Sequence, residues 1–123
     1  MTKKFFFDTY ALIEIGNSNP NYEAYKEDIV ILLSKLNLLE FSYYLFREKR
    51  ESEIQGIFDN YLKHAVDYDR DVLIKAASMK FTHLKDRLSF IDCIGYIMAK
   101  KHDVKFLTGD EKFRNMENVE FVK

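Results

Sequence analysis

The sequence predicts an α/β fold, a parallel sheet with helices on both faces. A short apolar run without alternation, KKFFFD near the start, reads as a central parallel strand buried on both faces, and VKFLTGD near the end reads as a further strand. Helical periodicity is clearest in ESEIQGIFDNYLKHA, where Ile54, Ile57, Phe58, Tyr61, Leu62 and Ala65 fall at i, i+3, i+4, i+7, i+8 and i+11. Strand-like and helix-like segments alternate along the chain, the order that builds parallel crossovers.

The elements follow in order. A first strand is expected over Lys4 to Asp8, then a short helix TYALIEIG stopped by Gly16 and a loop NSNPN holding the only proline. DIVILLS is a β-branched run and reads as a second buried strand. From Asn37, NLLEFSYYLFREKR is apolar nearly all round, as suits a helix packed between layers. Ser52 is expected to cap the amphipathic helix that follows, which lies on the surface. VDYD offers a very short strand, RDVLIKAASMKFTH a helix, and LKDR a connection to a helix starting at Ser89. The strand VKFLTGD ends at Thr108 and Gly109; a one-turn helix EKFRN and a last strand VEFVK complete the chain.

A chain of 123 residues with 47% hydrophobic content is long enough to bury about two thirds of its unfolded surface in one domain, without a metal or disulfide to hold it. Its formal charge of −1 supplies no global basic field, so a polyanion would have to be held by a local patch. Cys93 is the only cysteine and sits in an apolar run, which reads as a buried thiol in a reducing compartment. The basic start MTKKFFFDTY carries too short an apolar stretch for a signal peptide, and no run approaches membrane-spanning length. The expectation is a soluble cytoplasmic protein.

In a parallel sheet, the C-terminal strand ends and the N-terminal ends of the crossover helices share the edge where ligands bind. Four acids fall there: Asp8 closes the first strand, Asp110 follows VKFL, Glu40 lies in the first turn after Asn37, and Asp92 in the first turn after Ser89. Each has a plainer reading. Ser89-x-x-Asp92 and Asn37-x-x-Glu40 have capping-box spacing, Asp110 can cap the last short helix, and Asp8 can merely end a strand. Capping alone does not explain why Glu40 and Asp92 are set in the two most apolar helices. Carboxylates crowded within about 4 to 6 Å repel by roughly 3 to 4 kcal/mol per adjacent pair at an effective dielectric of 20. A hard divalent cation relieves this, and an all-carboxylate set without histidine or thiol favours Mg²⁺ or Mn²⁺ over zinc.

FFFDTYALIE, Glu40 in NLLEF, Asp92 in LSFIDCIGYIMA and Asp110 in FLTGDEKF together resemble the PIN-domain family, in particular its VapC-like toxin ribonucleases, over nearly the whole chain and in order. The resemblance implies a single PIN-like domain over 1–123, a three-layer fold with a parallel sheet of about five strands flanked by helices. It implies an acidic pocket that binds Mg²⁺ or Mn²⁺ and cleaves single-stranded RNA. By position, Asp8, Glu40, Asp92 and Asp110 match the acidic quartet, as catalytic residues and metal ligands, and Thr108 matches a hydroxyl supporting the metal shell. It further implies a homodimer and a small antitoxin whose tail enters the pocket. Tyr10 departs from the small polar residue many members carry beside the first aspartate.

Other residues are weighed against this frame. Lys85, Arg87, Lys112 and Arg114 flank the Asp92 and Asp110 motifs and are candidate RNA phosphate contacts, with solvated helix ends as the plain alternative. Tyr22, Tyr25, Tyr43 and Tyr44 are the aromatics to test for base stacking; core or dimer contacts are the favoured reading for most aromatics here, since they recur at helix spacing. His64, His83 and His102 lack zinc-ligand spacing, and Glu14, a turn or two after Asp8, is a candidate extension of the acidic pocket, with the exposed face of a short helix as the favoured reading. The rival readings are a catalytically silent PIN module acting through RNA or protein binding, a phosphotransfer receiver, and a haloacid-dehalogenase-type phosphatase. The phosphatase needs a second aspartate two residues after the first, where this chain has Tyr10; receivers usually pair acids before the phosphorylated one.

Overall fold

The computed structural model describes residues 2–123. Strand β1 spans Lys3–Phe7, helix α1 Thr9–Gly16, β2 Ile29–Leu32, α2 Lys35–Arg47, α3 Ile54–Tyr61, α4 Arg70–Thr82, α5 Phe90–Lys101, β3 Lys105–Thr108 and β4 Val119–Phe121. The four strands form one sheet in the order β2-β1-β3-β4, every pair parallel. The registers Phe6↔Leu32 and Phe7↔Leu107 put the ends of β1, β2 and β3 along a common edge. Asp8 leaves the sheet at that edge.

The central position of β1 follows from its three phenylalanines. Alternation sends Phe5 and Phe7 to one face and Phe6 to the other, and none is more than 5% exposed. Phe6 and Phe106 pack under α4 and α5 with Cys93, Ile94, Met98, Ala99 and Phe113. Phe5, Phe7 and Leu107 pack under α1 and α2 with Ala11, Leu12, Leu38, Phe41 and Leu45. Each central side chain is therefore buried against helices, which is why the run shows no polar alternation.

Several boundaries differ from the sequence reading. Helix α2 begins at Lys35, two residues before the expected start, because Ser34 is its N-cap and Asn37 turns back to it: Asn37 Oδ1 accepts from the Ser34 N–H at 2.9 Å and its hydroxyl at 3.1 Å. The expected Asn37–Glu40 box is thus not formed, and Glu40 is free for other work. The helix expected from Ser52 is divided into a 3-10 turn at Glu51–Glu53, the two-turn α3, and a second 3-10 turn at Leu62–His64. Its apolar face, Ile54, Ile57, Phe58 and Tyr61, lies half-buried against the α1–α2 core.

VDYD forms no strand. One parallel bridge joins Leu33 to Ala65, with the Val66 N–H donating to the Leu33 carbonyl at 2.8 Å, and pairing stops there. Asp69 is drawn instead to the start of α4, where its Oδ1 caps the Val72 N–H at 3.0 Å. The four-stranded sheet with this single bridge is the counterpart of the five short strands expected. At the other edge, the Val122 N–H donates to the Thr108 carbonyl at 2.9 Å, so the pairing of β4 runs one residue past Phe121. Among the described residues, no helix is long and apolar enough to cross a membrane.

Two glycines test the packing in opposite directions. A Cβ at Gly109 would stand 2.2 Å from the Val122 carbonyl oxygen and 2.4 Å from the Tyr10 ring, whereas a Cβ at Gly56 in α3 would meet nothing within 4 Å. Gly109→Ala is expected to destabilise by about 2 kcal/mol or more, since backbone must move. Gly56→Ala is expected to stabilise by roughly 0.5–1 kcal/mol. Denaturant melts of both variants measure the difference.

Candidate active site

Asp8, Glu40, Asp92 and Asp110 all line one cleft of about 660 Å³ at the strand-end edge, together with Thr9, Ser89, Lys112 and an aromatic side formed by Tyr10, Tyr43 and Tyr44. Backbone geometry puts each acid there. Asp8 is the N-cap of α1, its Oδ1 accepting the Thr9 N–H at 2.8 Å. Asp92 is the third residue of α5, where Ser89 Oγ accepts its N–H at 3.0 Å and its Oδ2 accepts the Ser89 N–H at 2.9 Å. Asp110 caps the 3-10 turn Glu111–Phe113 through its Oδ1, which takes the Lys112 N–H at 3.0 Å.

Glu40 is held across the fold. Asn37 Nδ2 donates to Thr9 Oγ1 at 3.1 Å, and the Thr9 hydroxyl donates to Glu40 Oε1 at 2.6 Å. A chain of polar groups therefore runs from Ser34 through Asn37 and Thr9 to Glu40, tying the start of α2 to the start of α1. Thr108 plays the matching part for Asp8: its hydroxyl donates to Asp8 Oδ2 at 2.7 Å and accepts the Asp110 N–H at 3.1 Å. Thr9 escaped the sequence reading; its only signal was a hydroxyl residue directly after a strand-ending aspartate.

The charges in the cleft are poorly balanced. Asp8 is 4% exposed, and its carboxyl is pushed up to about 7, first by burial and then by the charges of Asp92 and Glu40, against the hydrogen bonds from Thr108 and Thr9. Burial also raises Glu40 and Asp92; Thr9 eases the first, while the Ser89 N–H and the Lys112 charge ease the second. Among the described residues the cleft holds one ion pair, Lys112 Nζ to Asp110 Oδ2 at 3.1 Å, and Asp8, Glu40 and Asp92 have no salt-bridge partner. Glu40 Oε2 and Asp92 Oδ1 accept no protein hydrogen bond there.

Three uncompensated carboxylates with spare oxygen lone pairs, and no thiol or imidazole lining the cleft, are a donor set that fits a hard divalent cation. Among the described residues, no three such groups are already drawn round a single point as an ion would hold them.

The candidate RNA contacts divide. Lys112 lines the cleft; Lys85, Arg87 and Arg114 do not. Arg114 is held by Glu111 through two hydrogen bonds and lies over the Phe121 ring, and Arg87 occupies a left-handed turn position with φ 55°. Tyr22 and Tyr25 are unsuited to base stacking: Tyr22 is fully buried with its hydroxyl on the Val122 carbonyl, and Tyr25 packs on Phe5 and donates to Glu120. Tyr43 and Tyr44 do line the cleft, and Tyr43 is 66% exposed with the Arg47 guanidinium 5.3 Å from its ring centre. Leu39, 60% exposed, extends this wall.

Comparison with known proteins sets this geometry in context. A family model described as PIN domain matches residues 5–119. Among solved structures, Mycobacterium tuberculosis VapC20, described as a sarcin-ricin loop cleaving toxin, superposes with a TM-score of 0.81 at 18% identity, covering 97% of this chain and 99% of that one. A toxin-antitoxin complex from Klebsiella pneumoniae gives 0.72 at 15% identity, with 94% of each chain covered. VapBC2 from Rickettsia felis, solved with a DNA fragment from its promoter, gives 0.71 at 17%, covering 98% and 99%. No curated protein matches by sequence.

The unbalanced charge has a measurable cost. Because the folded-state value of Asp8 stands near 7 against an ordinary 3.8, the folded chain holds a proton that the unfolded chain releases, and this contribution to stability is lost as pH rises through that window. In EDTA, the protein is expected to melt lower at pH 8 than at pH 5.5. Asp8→Asn should flatten that slope and melt higher than the parent at pH 8, by roughly 5 °C. Thermal melts at the two pH values test it.

Proposed function

The chain belongs to the PIN-domain family, and from that premise we propose that it is a Mg²⁺- or Mn²⁺-dependent endoribonuclease acting on single-stranded RNA, the toxin of a type II toxin-antitoxin pair. The observation that carries this reading is the meeting, in one cleft, of four acids distant in sequence, three of which have no cation against them. Asp8, Glu40 and Asp92 are the residues that would hold the ion, with Asp110 as the fourth acid of the set. A bound divalent ion lowers the pKa of a water molecule and offsets charge on the attacking and leaving oxygens of a phosphodiester.

The chain's own residues prepare for that chemistry. Thr108 and the Thr9 N–H each hold one Asp8 oxygen, so the carboxylate cannot rotate away from the cleft. The Thr9 hydroxyl fixes one Glu40 oxygen and leaves the other free to orient a water or an ion. The Ser89–Asp92 box does the same for Asp92. Rigid support of this kind is what metal chemistry demands of outer-shell groups. Attack by water leaves a 5′-phosphate and a 3′-hydroxyl.

The cleft's other wall supports a single-stranded substrate. Tyr43 and Leu39 offer an apolar surface to an unpaired base, and Arg47 beside them offers a charge to a phosphate. A duplex would keep its base faces hidden. The lone thiol, Cys93, is fully buried and without a disulfide partner, which suits a reducing cytoplasm.

Cleavage of mixed cellular RNA in Mg²⁺, Mn²⁺ or EDTA, with the ends mapped, tests the proposal. Activity is expected with either metal and none in EDTA. Asp8→Asn or Asp92→Asn should lower it by more than the roughly 10- to 100-fold that loss of an outer-shell partner costs, with circular dichroism unchanged. Folded protein without activity in any metal would favour the silent module that binds RNA or protein.

Partners enter the proposal as a small antitoxin that covers the cleft and a second copy of the chain. On α4 and the following turn, Ile74, Phe81 and Leu84 form a stripe 62%, 74% and 67% exposed, with Ala77 between them and Phe90 close in sequence at 61%. Unpaired apolar residues in such a row suit a symmetric interface. Light scattering should therefore find a dimer, and Phe81→Glu should shift it to monomer.

A further inference from the structure

Lys112 is the one cleft residue whose charge opposes the acids directly, and it does so with both of its nitrogens. Its backbone N–H donates to Asp110 Oδ1 at 3.0 Å, and its ammonium lies 3.1 Å from Asp110 Oδ2. Both oxygens of one carboxylate are thus engaged by a single residue. The remaining three acids have hydrogen bonds from hydroxyls and backbone amides, but no ammonium or guanidinium within ion-pair distance among the described residues.

The inward direction of Lys112 is built into the fold. The next residue, Phe113, is fully buried, stacks on Tyr96 and packs at a tilt against Phe106, which fixes the 3-10 turn against the core. The preceding residue, Glu111, is taken by Arg114 at 2.7 Å and Lys123 at 2.8 Å, so it does not compete for the Lys112 ammonium. On the other side, the Asp110 N–H is tied to Thr108, whose hydroxyl also holds Asp8. Both partners of the pair are anchored from behind.

We propose that the Lys112 ammonium is a tethered counter-cation holding the Asp110 side of the cleft, so that the site takes one divalent ion, on Asp8, Glu40 and Asp92, in place of two. The inference rests on the metal-dependent reading above and deepens it. Charge balance agrees: with every lining group ionised, the four carboxylates, Lys112 and Arg47 leave two negative charges, which one divalent ion neutralises and two would overturn. The ammonium also supplies, on its side of the cleft, the positive charge that a second ion would bring to a phosphodiester in a two-ion clamp. This reassigns Asp110 from ion ligand to partner of Lys112, and Lys112 from outer RNA contact to part of the acid site.

The test is the ion count on the full chain without RNA, by titration calorimetry with Mn²⁺ and by native mass spectrometry. The wild type is expected to bind one Mn²⁺ per chain, and Asp110→Asn to keep that count with an affinity within about threefold, a difference of about 0.65 kcal/mol. Lys112→Ala and Lys112→Met should gain a second saturable site, with coupled Mn²⁺ signals in electron paramagnetic resonance, while Lys112→Arg should stay at one. Two ions on the wild type, one ion on both neutral variants, or loss of the single ion in Asp110→Asn would each overturn the proposal and leave the nuclease reading standing. A wild type that binds no Mn²⁺ would overturn the metal-dependent reading itself. The wild-type count needs no variant, so it decides even if the substitutions disturb folding.

Discussion

A carboxylate buried beside two others governs the design of this edge of the molecule. Asp8 lies at the end of the central strand, where the sheet registers and the α1 cap leave it almost wholly buried at the floor of the cleft that Asp92 and Glu40 also line. Repulsion among such groups is worth several kcal/mol, comparable with the whole stability of a small domain. The fold answers with neutral donors, the Thr108 and Thr9 hydroxyls and the Thr9 and Ser89 amides, and with a single ammonium placed at Asp110. Neutral donors orient the charges without cancelling them. The resulting site is held in shape yet remains short of positive charge, the condition under which a cation is bound strongly.

Capping and chemistry turn out to be one arrangement at this edge. Asp8, Asp92 and Asp110 each accept a backbone N–H at the start of a helix or 3-10 turn, as the plain capping reading requires. The same bond fixes one carboxylate oxygen and points the side chain along the sheet edge. A cap on an exposed helix would leave its acid in water; here the helix starts are gathered by parallel connections, so the caps share a cavity. Glu40 is the exception that shows the need. Its helix is capped by Ser34 and Asn37, so it must be held from outside, and Thr9 reaches across from α1 to do it.

Legibility in the sequence follows the range of the forces involved. The strand and helix order, the two-sided burial of Phe5 to Phe7 and the Ser89–Asp92 cap were readable because they depend on near neighbours and on period. The start of α2 was not: Ser34 and Asn37 are both good caps, and the choice turns on Thr9, distant in sequence, which receives the Asn37 amide. Tyr22 and Tyr25 looked no different from Tyr43 and Tyr44 as candidate stacking residues, yet the first two are fastened to the C-terminal segment and only the second two line the cleft. Lys112 could be placed near Asp110 by spacing, but its inward turn depends on Phe113 finding Tyr96 and Phe106. The acids could be assigned to one edge from topology; whether each met a hydrogen bond, a lysine or nothing required the tertiary structure.

The two walls of the cleft impose opposite conditions on an RNA strand, and their combination explains how binding and chemistry would be linked. On the proposed function, the acid wall would repel a phosphodiester, while Leu39, Tyr43 and Arg47 would offer an apolar face to an unpaired base and a charge to the phosphate next to it. Without a cation at Asp8, Glu40 and Asp92, a strand would rest on the apolar wall, away from the groups that would act on it. An ion held by Asp8, Glu40 and Asp92 would supply the positive charge that this wall lacks, so that a phosphate could approach the acids. On the proposed function, the ion is then a condition of productive binding as well as of the chemical step, because both depend on the same uncompensated charge.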